Sequence, residues 1–268
     1  MPRFDAILSA NGDFVCNIDS DDTIEPNYLE KLIRRQQETN ADIVLSKIIY
    51  CDEFLNQKEI TIPKASYNMT NVLSGKEICK ATIGEWEISV SGWIARTSLC
   101  KTYIEKEYYR NFNGGFSDEI DQRKILLLAD RVAMNEAYYF YRQQQGSIIH
   151  STSIKYYDTL IANKILLDFI ITTFNDDKEL LLRMYDEYLE KLYRSLQKYY
   201  TYVNQYNTKE KEYITNLIKS SYSYIKEYKL EFNTIRNKIL SLSYLHFQLY
   251  TKFVIFIIKL KSKYFSLI

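Results

Sequence analysis

Gly12-Asp13-Phe14-Val15-Cys16-Asn17-Ile18-Asp19-Ser20-Asp21-Asp22-Thr23-Ile24-Glu25-Pro26 is the stretch from which the rest of the chain is read. The apolar run Phe14 to Ile18 reads as a buried strand. Three carboxylates follow within four residues, Asp19, Asp21 and Asp22. Pro26 stands where a helix would open, and Leu29, Leu32 and Ile33 come after it at helical spacing. The acids therefore fall at the C-terminal end of a strand, the end at which open α/β sheets bind ligands. Carboxylates this close repel one another. A divalent cation makes them tolerable, and Mg2+ and Mn2+ favour carboxylate and phosphate oxygens. Asp19 and Asp21 would set one carboxylate on such a metal and the other on metal or ribose. The plainer alternative is an acidic turn in which Asp22 or Thr23 caps the next helix. The strand before the acids and the helix after them favour the ligand reading.

Residues 12–32, GDFVCNIDSDDTIEPNYLEKL, resemble the metal-binding DXD segment of family 2 glycosyltransferases of the GT-A fold. The glycine-led strand, the Asp-Ser-Asp-Asp run, the proline and the Leu-Glu-x-Leu helix match in order, which is far more specific than a lone DXD. The resemblance implies transfer of a sugar from a nucleotide-diphosphate sugar to a saccharide or lipid-linked acceptor, with Mg2+ or Mn2+ as cofactor. By it, Asp19, Asp21 and Asp22 would hold the metal, with Asp19 also on the donor. Family members that build surface polysaccharides work at the cytoplasmic membrane face. The expected location is therefore cytoplasmic, at the inner face of the membrane.

The resemblance continues to about residue 155. Arg3 to Gly12 reads as the end of a helix with Gly12 as its stop. By comparison with the family, the chain reads as truncated on its N-terminal side, which leaves Phe14 to Ile18 as an exposed sheet edge. Ala41 to Tyr50 matches the family's next strand, and residues 51–70 read as a hairpin or loop with weak strands near Lys58 to Ile62. Ser74 and Glu77 have capping-box spacing. Asn68-Met69-Thr70 fits a glycosylation sequon, read as idle. In Ile88 to Leu99 a strand turns into a helix, and it resembles the acceptor-side segment of the family. Trp93 there would stack on a sugar ring or anchor the core, and Trp86 is read as packing.

Gly114-Gly115-Phe116-Ser117-Asp118-Glu119-Ile120-Asp121 precedes a buried helix and then a strand at Arg131 to Met134. Family members carry a Glu-Asp pair here, whose Asp is the general base of inverting enzymes. The resemblance makes Asp118 the base and Glu119 its understudy, although Ser117 stands where the family has Glu. The alternative is that these residues cap a helix N-terminus, where acids are favoured. Tyr138 to His150 resembles the family's "YYYR…GSI" ending. Arg142 would contact diphosphate or acceptor, and Ser147 and His150 would sit on a loop over the donor. An exposed loop histidine is the other reading of His150.

The fold class expected is α/β, a partial GT-A (Rossmann-like) sheet lacking its N-terminal strands over residues 1–155, then an α-helical C-terminal region over 156–268. The helical part shows apolar residues at helical spacing, with Asn and Asp clusters at 175–177 and 204–207 as connections, and three to five helices by length. Residues 250–265 are apolar with aromatic and lysine flanks. They are too short an apolar run to span a bilayer and suit either an interfacial helix in peripheral membrane contact or a core or partner helix, oligomerisation included.

Composition narrows the classes. The net charge of +1 gives no bulk attraction to nucleic acid. With 7 glycines and 3 prolines, long helices are favoured over a turn-rich all-β fold. The four cysteines show no CxxC spacing and read as reduced thiols. There is no GxSxG elbow for a Ser-His-Asp hydrolase. A Mg2+-dependent phosphatase or nuclease would need more converging acids and histidines. The remaining rival to a transferase is an inactive remnant or helical interaction module that retains the acidic segment.

Overall fold

In the computed structural model the described residues are 2–61, 71–84, 92–107, 114–143, 151–228, 232 and 234–265. They divide into two compact units, residues 1–113 with 117–150, and residues 114–116 with 151–268. The first unit runs α1 (Pro2–Ser9), β1 (Phe14–Cys16), β2 (Thr23–Ile24), α2 (Tyr28–Thr39), β3 (Ile43–Cys51), β4 (Gln57–Thr61), β5 (Val72–Leu73), α3 (Gly75–Ala81), β6 (Trp93–Arg96), α4 (Thr97–Glu107), α5 (Asp118–Leu127) and β7 (Val132–Arg142). The second holds α6 (Asp158–Thr173), α7 (Lys178–Tyr202), α8 (Thr208–Glu227), α9 (Ile235–Leu242) and α10 (Tyr244–Phe265). The α/β unit followed by a helical region is thus the fold class the sequence pattern predicts.

The sheet order is β1-β6-β3-β7-β2, with β4 added to β3 and β5 to β7. Its centre is the parallel pair β3 and β7, in register from Ile43 opposite Val132 to Cys51 opposite Arg142. Ile43, Val44, Leu45, Ile48 and Ile49 are buried, as befits a strand covered on both faces. The other pairings are antiparallel, and β4 folds back on β3 as the expected hairpin. The core joins Tyr28 and Leu32 of α2 to Val44, Ile94, Ala133, Ala137 and Tyr139 of the sheet. Asp42, just before β3, pairs with Arg96 of β6 at 2.8 Å and accepts the N–H groups of Asp130 and Arg131 at 3.0 and 3.1 Å. One carboxylate thereby aligns the starts of β3 and β7 with the end of β6. β1 lies at the end of the sheet path, the edge position expected for it.

Three expectations change at the acidic stretch. The first strand ends at Cys16 rather than Ile18. Neither Asp22 nor Thr23 caps α2, because Thr23 and Ile24 instead pair with Phe140 and Tyr139 of β7. The helix begins at Tyr28 after Asn27, whose side chain makes no cap bond. Arg142 is the last residue of β7. Ser74 and Glu77, by contrast, form the expected reciprocal capping box of α3.

Gly75 sets the approach of α3 to α5. Its N–H donates to the Ala129 carbonyl at 3.0 Å, and an added Cβ would stand 1.7 Å from the Leu126 carbonyl oxygen. Backbone must then move. Gly75→Ala is expected to lower stability by about 1–3 kcal/mol, read as a lower urea midpoint at unchanged slope. An unchanged midpoint would contradict this close approach.

The second unit accounts for much of the chain's 25 tyrosines. Tyr157 and Tyr206 pair through their hydroxyls at 3.2 Å, and Tyr222 packs on Phe247 at 5.1 Å between ring centres. A buried phenol brings area and needs a partner for its hydroxyl; Tyr157 and Tyr206 supply one another, and the Tyr222 hydroxyl donates to the Leu240 carbonyl at 3.0 Å. Asp177 caps α7, and Asn207 with Glu210 forms a capping box on α8, so both predicted connections act as helix starts. All four cysteines are free. Among the described residues no helix is long and apolar enough to cross a membrane.

Candidate functional site

The acids lie in the turn between β1 and β2, closed by the Asp22 N–H on the Asp19 carbonyl at 3.0 Å. Asp22 points back at β7. Its carboxylate accepts the Tyr139 hydroxyl at 2.6 Å and the Arg142 backbone N–H at 2.9 Å. The Tyr139 oxygen also accepts the Asp19 N–H at 3.2 Å. The Arg142 guanidinium donates to the Asp21 carbonyl. Next along the chain, Glu25 accepts the Tyr138 N–H at 2.8 Å and pairs with Lys31 at 2.8 Å. The turn is therefore bolted to the C-terminal half of β7, some 120 residues away in sequence. Tyr139 is the bolt: its ring is fully buried beside Tyr28, and its hydroxyl reaches the turn. Burial raises the Asp22 carboxyl, and the charges of Asp21 and Asp19 raise it further. The bonds from Tyr139 and Arg142 oppose the rise. Asp21 is exposed and Asp19 half-buried.

Asp118 is the first residue of α5 and is half-buried. Two contacts fix this helix from neighbouring elements. The Tyr103 hydroxyl of α4 donates to Asp121, and the buried Arg123 donates to the Thr82 hydroxyl and carbonyl, each at 3.0 Å. Arg123 also holds the Glu119 carboxylate at 2.6 Å. Asp118 has a different environment. Burial pushes its carboxyl up from 3.8 to about 6, the charge of Glu119 adds to this, and Arg3 of α1 opposes it. The backbone N–H groups at the start of α5 also oppose the rise, while the Ser117 side chain makes no cap bond.

Tyr141 connects the two groups. Its half-buried phenol is raised first by burial, then by the charges of Asp22, Asp21, Asp118 and Asp19. The charges of the turn acids and of Asp118 thus all reach one phenol, although these residues lie far apart in the unit's sequence. Neither Tyr139 nor Tyr141 was legible as a site residue in the sequence. Both lie in an aromatic run, and only the register of β7 against β2 shows which ring serves the turn.

The other sequence candidates divide. Arg142 stands beside the turn. Trp93 pairs with Leu45 inside the sheet and is 4% exposed. Ser147, His150, Trp86 and the Asn68 sequon lie outside the described residues.

Among the described residues, no three His, Cys, Asp or Glu side chains are arranged to hold a metal ion. Asp22 is committed to β7 through both carboxylate oxygens. Asp19, whose carboxylate accepts the Asn17 amide at 3.3 Å, and the exposed Asp21 lie two residues apart in the same turn. Two carboxylates completed by substrate phosphates is a donor set that suits Mg2+, so these residues fit a metal held jointly with a diphosphate.

The model of Glycosyl transferase family 2 matches residues 3–89. The chain is 28% identical over 147 residues to the glycosyltransferase GlyG of Streptococcus pneumoniae, covering 54% of this chain and 48% of that protein. It is 29% identical over 170 residues to the cholesterol galactosyltransferase of Borreliella burgdorferi, covering 60% of this chain and 46% of that one. The chain spans about half the length of these curated relatives. A crystal structure of S. aureus TarS with UDP-GlcNAc aligns over 86% of this chain and 73% of that one, at 16% identity and a TM-score of 0.42. Residues 3–89, which hold the acidic turn, α2 and the central strand β3, are thus the part of the chain that is similar to glycosyl transferase family 2.

Proposed function

We propose that the first unit transfers a sugar from a nucleotide-diphosphate donor to a hydroxyl of a saccharide or lipid-linked acceptor, in the synthesis of a surface polysaccharide or glycolipid. The observation that supports this reading is a carboxyl poised near neutral pH, Asp118, whose charge reaches the same phenol, Tyr141, as the charges of the acidic turn. A general base works best when its pKa lies near the working pH. Asp118 accepts the proton of the acceptor hydroxyl, and the oxygen attacks the anomeric carbon. The bond to the diphosphate breaks, and the nucleoside diphosphate leaves with its electron pair. Direct displacement of this kind inverts the anomeric centre.

Asp19 and Asp21 would hold a Mg2+ or Mn2+ together with the diphosphate, and the metal would supply neutralisation of the leaving group's charge. Asp22, Tyr139 and Arg142 keep that turn in place, and Glu119, tied to Arg123, helps set the level of the Asp118 carboxyl. The names of the two curated relatives, a glycosyltransferase and a galactosyltransferase, support sugar transfer and a hexosyl donor.

The test is release of UDP from a panel of UDP-hexoses by the full chain with Mn2+ and mixed saccharide or glycolipid acceptors. Turnover is expected that EDTA abolishes and that added Mn2+ restores. Turnover untouched by EDTA would remove the metal from the account. No turnover of any nucleotide sugar would favour the rival reading, a motif kept without catalysis.

A further inference from the structure

Helices α9 and α10 carry apolar side chains on two sides. One side packs inward, with Phe247 and Thr251 fully buried and Tyr250 against Tyr193 of α7. The other side faces solvent. Leu245, Leu249, Phe253, Phe256 and Leu260 of α10 recur at steps of three or four and are all exposed, Phe253 at 61%, and Leu242 at the end of α9 is exposed as well. Such spacing aligns them in one stripe along a helix. An apolar stripe this continuous on a water-facing surface marks an interaction site.

We propose that this stripe docks on the surface of an anionic phospholipid bilayer. Charge complementarity selects that occupant. From Phe232 to Ile268 the chain has six Lys and Arg residues and no Asp or Glu. Lys252 and Lys259 are seven residues apart, and each immediately precedes a stripe residue, Phe253 and Leu260. They therefore lie along one border of the stripe, where ammonium groups reach lipid phosphates while the rings enter the acyl boundary. A second copy of the chain is a poorer occupant, because pairing two such stripes sets lysine against lysine with no carboxylate in the segment to neutralise them. Crossing the bilayer is excluded for α10, as its lysines interrupt any apolar span. The helix lies in the surface plane, over a length of about 33 Å for its 22 residues. This inference does not depend on the transferase reading.

The experiment is flotation of the full chain with vesicles of pure phosphatidylcholine or of phosphatidylcholine with phosphatidylglycerol. Binding is expected on the anionic vesicles, weaker by about tenfold or more on neutral ones, and reduced by salt. Phe253→Glu with Phe256→Glu should lose binding at unchanged melting temperature, since both rings face solvent. Lys252→Glu with Lys259→Glu should weaken it while leaving the apolar stripe intact. Failure to bind anionic vesicles overturns the proposal, as does equal binding by the Phe253→Glu/Phe256→Glu protein. A concentration-dependent dimer that these substitutions dissolve, without vesicle binding, would assign the face to a second copy instead.

Discussion

Asp118→Asn is expected to cut sugar transfer by about 10²- to 10⁴-fold, the usual worth of a positioned general base, and at the same time to raise the melting temperature at pH 7. The two effects share one cause. Burial holds the folded-state carboxyl at about 6, against 3.8 in an ordinary setting. The folded protein therefore binds this proton more tightly than the unfolded chain does. As pH rises from about 4 through 6 the group's contribution to stability falls, and at pH 7 the fold carries a half-buried anion at a cost on the order of 1–3 kcal/mol. Asparagine keeps the shape and removes the charge. The wild-type kcat/KM should show an acidic limb near pH 6, below which the base is protonated. Loss of activity with loss of stability would mark Asp118 as a structural cap. Unchanged activity would remove it from the mechanism.

The second large effect separates two neighbouring aspartates. Asp22→Ala strips both partners from the turn, leaving the Tyr139 hydroxyl and the Arg142 N–H unanswered. Unsatisfied donors of this kind cost about 1–3 kcal/mol, and the turn should loosen from β7 with a fall in both stability and transfer. Asp21 is exposed, so Asp21→Ala should shift stability by no more than about 0.5 kcal/mol, as for other surface substitutions. Its activity should nonetheless drop by about a hundredfold or more, because in the proposed mechanism this carboxylate would hold diphosphate and cation. Urea titration and initial rates on the pair read both quantities. Equal stability losses would contradict the division of labour between fastening and binding.

The sequence made the local pieces legible and concealed their joining. The strand, the turn acids, the strand of Ala41 to Tyr50 and the Ser74–Glu77 box are short-range patterns of polarity and spacing, and they stand close to where the residues place them. The helical half was equally plain, because its Asn and Asp clusters carry the caps of α7 and α8. The reach of Tyr139 to the turn was not legible. It depends on β2 pairing with the end of β7, and a two-residue strand has no period to detect. The same pairing turned Asp22 from an expected metal ligand into a fastening and moved the start of α2 to Tyr28. Trp93 was ambiguous for a related reason: an aromatic at a strand start serves a core or a sugar equally well until its neighbours are known.

The most direct measurement of the central claim is calorimetric titration of UDP into the full-length chain with and without Mn2+, repeated for Asp21→Ala. The account predicts binding that requires Mn2+, is lost with the Asp21 carboxylate, and persists in Asp118→Asn, whose side chain serves the acceptor. UDP binding that ignores Mn2+ and Asp21, or none at millimolar UDP with Mn2+, would contradict the claim that the acidic turn is the donor site.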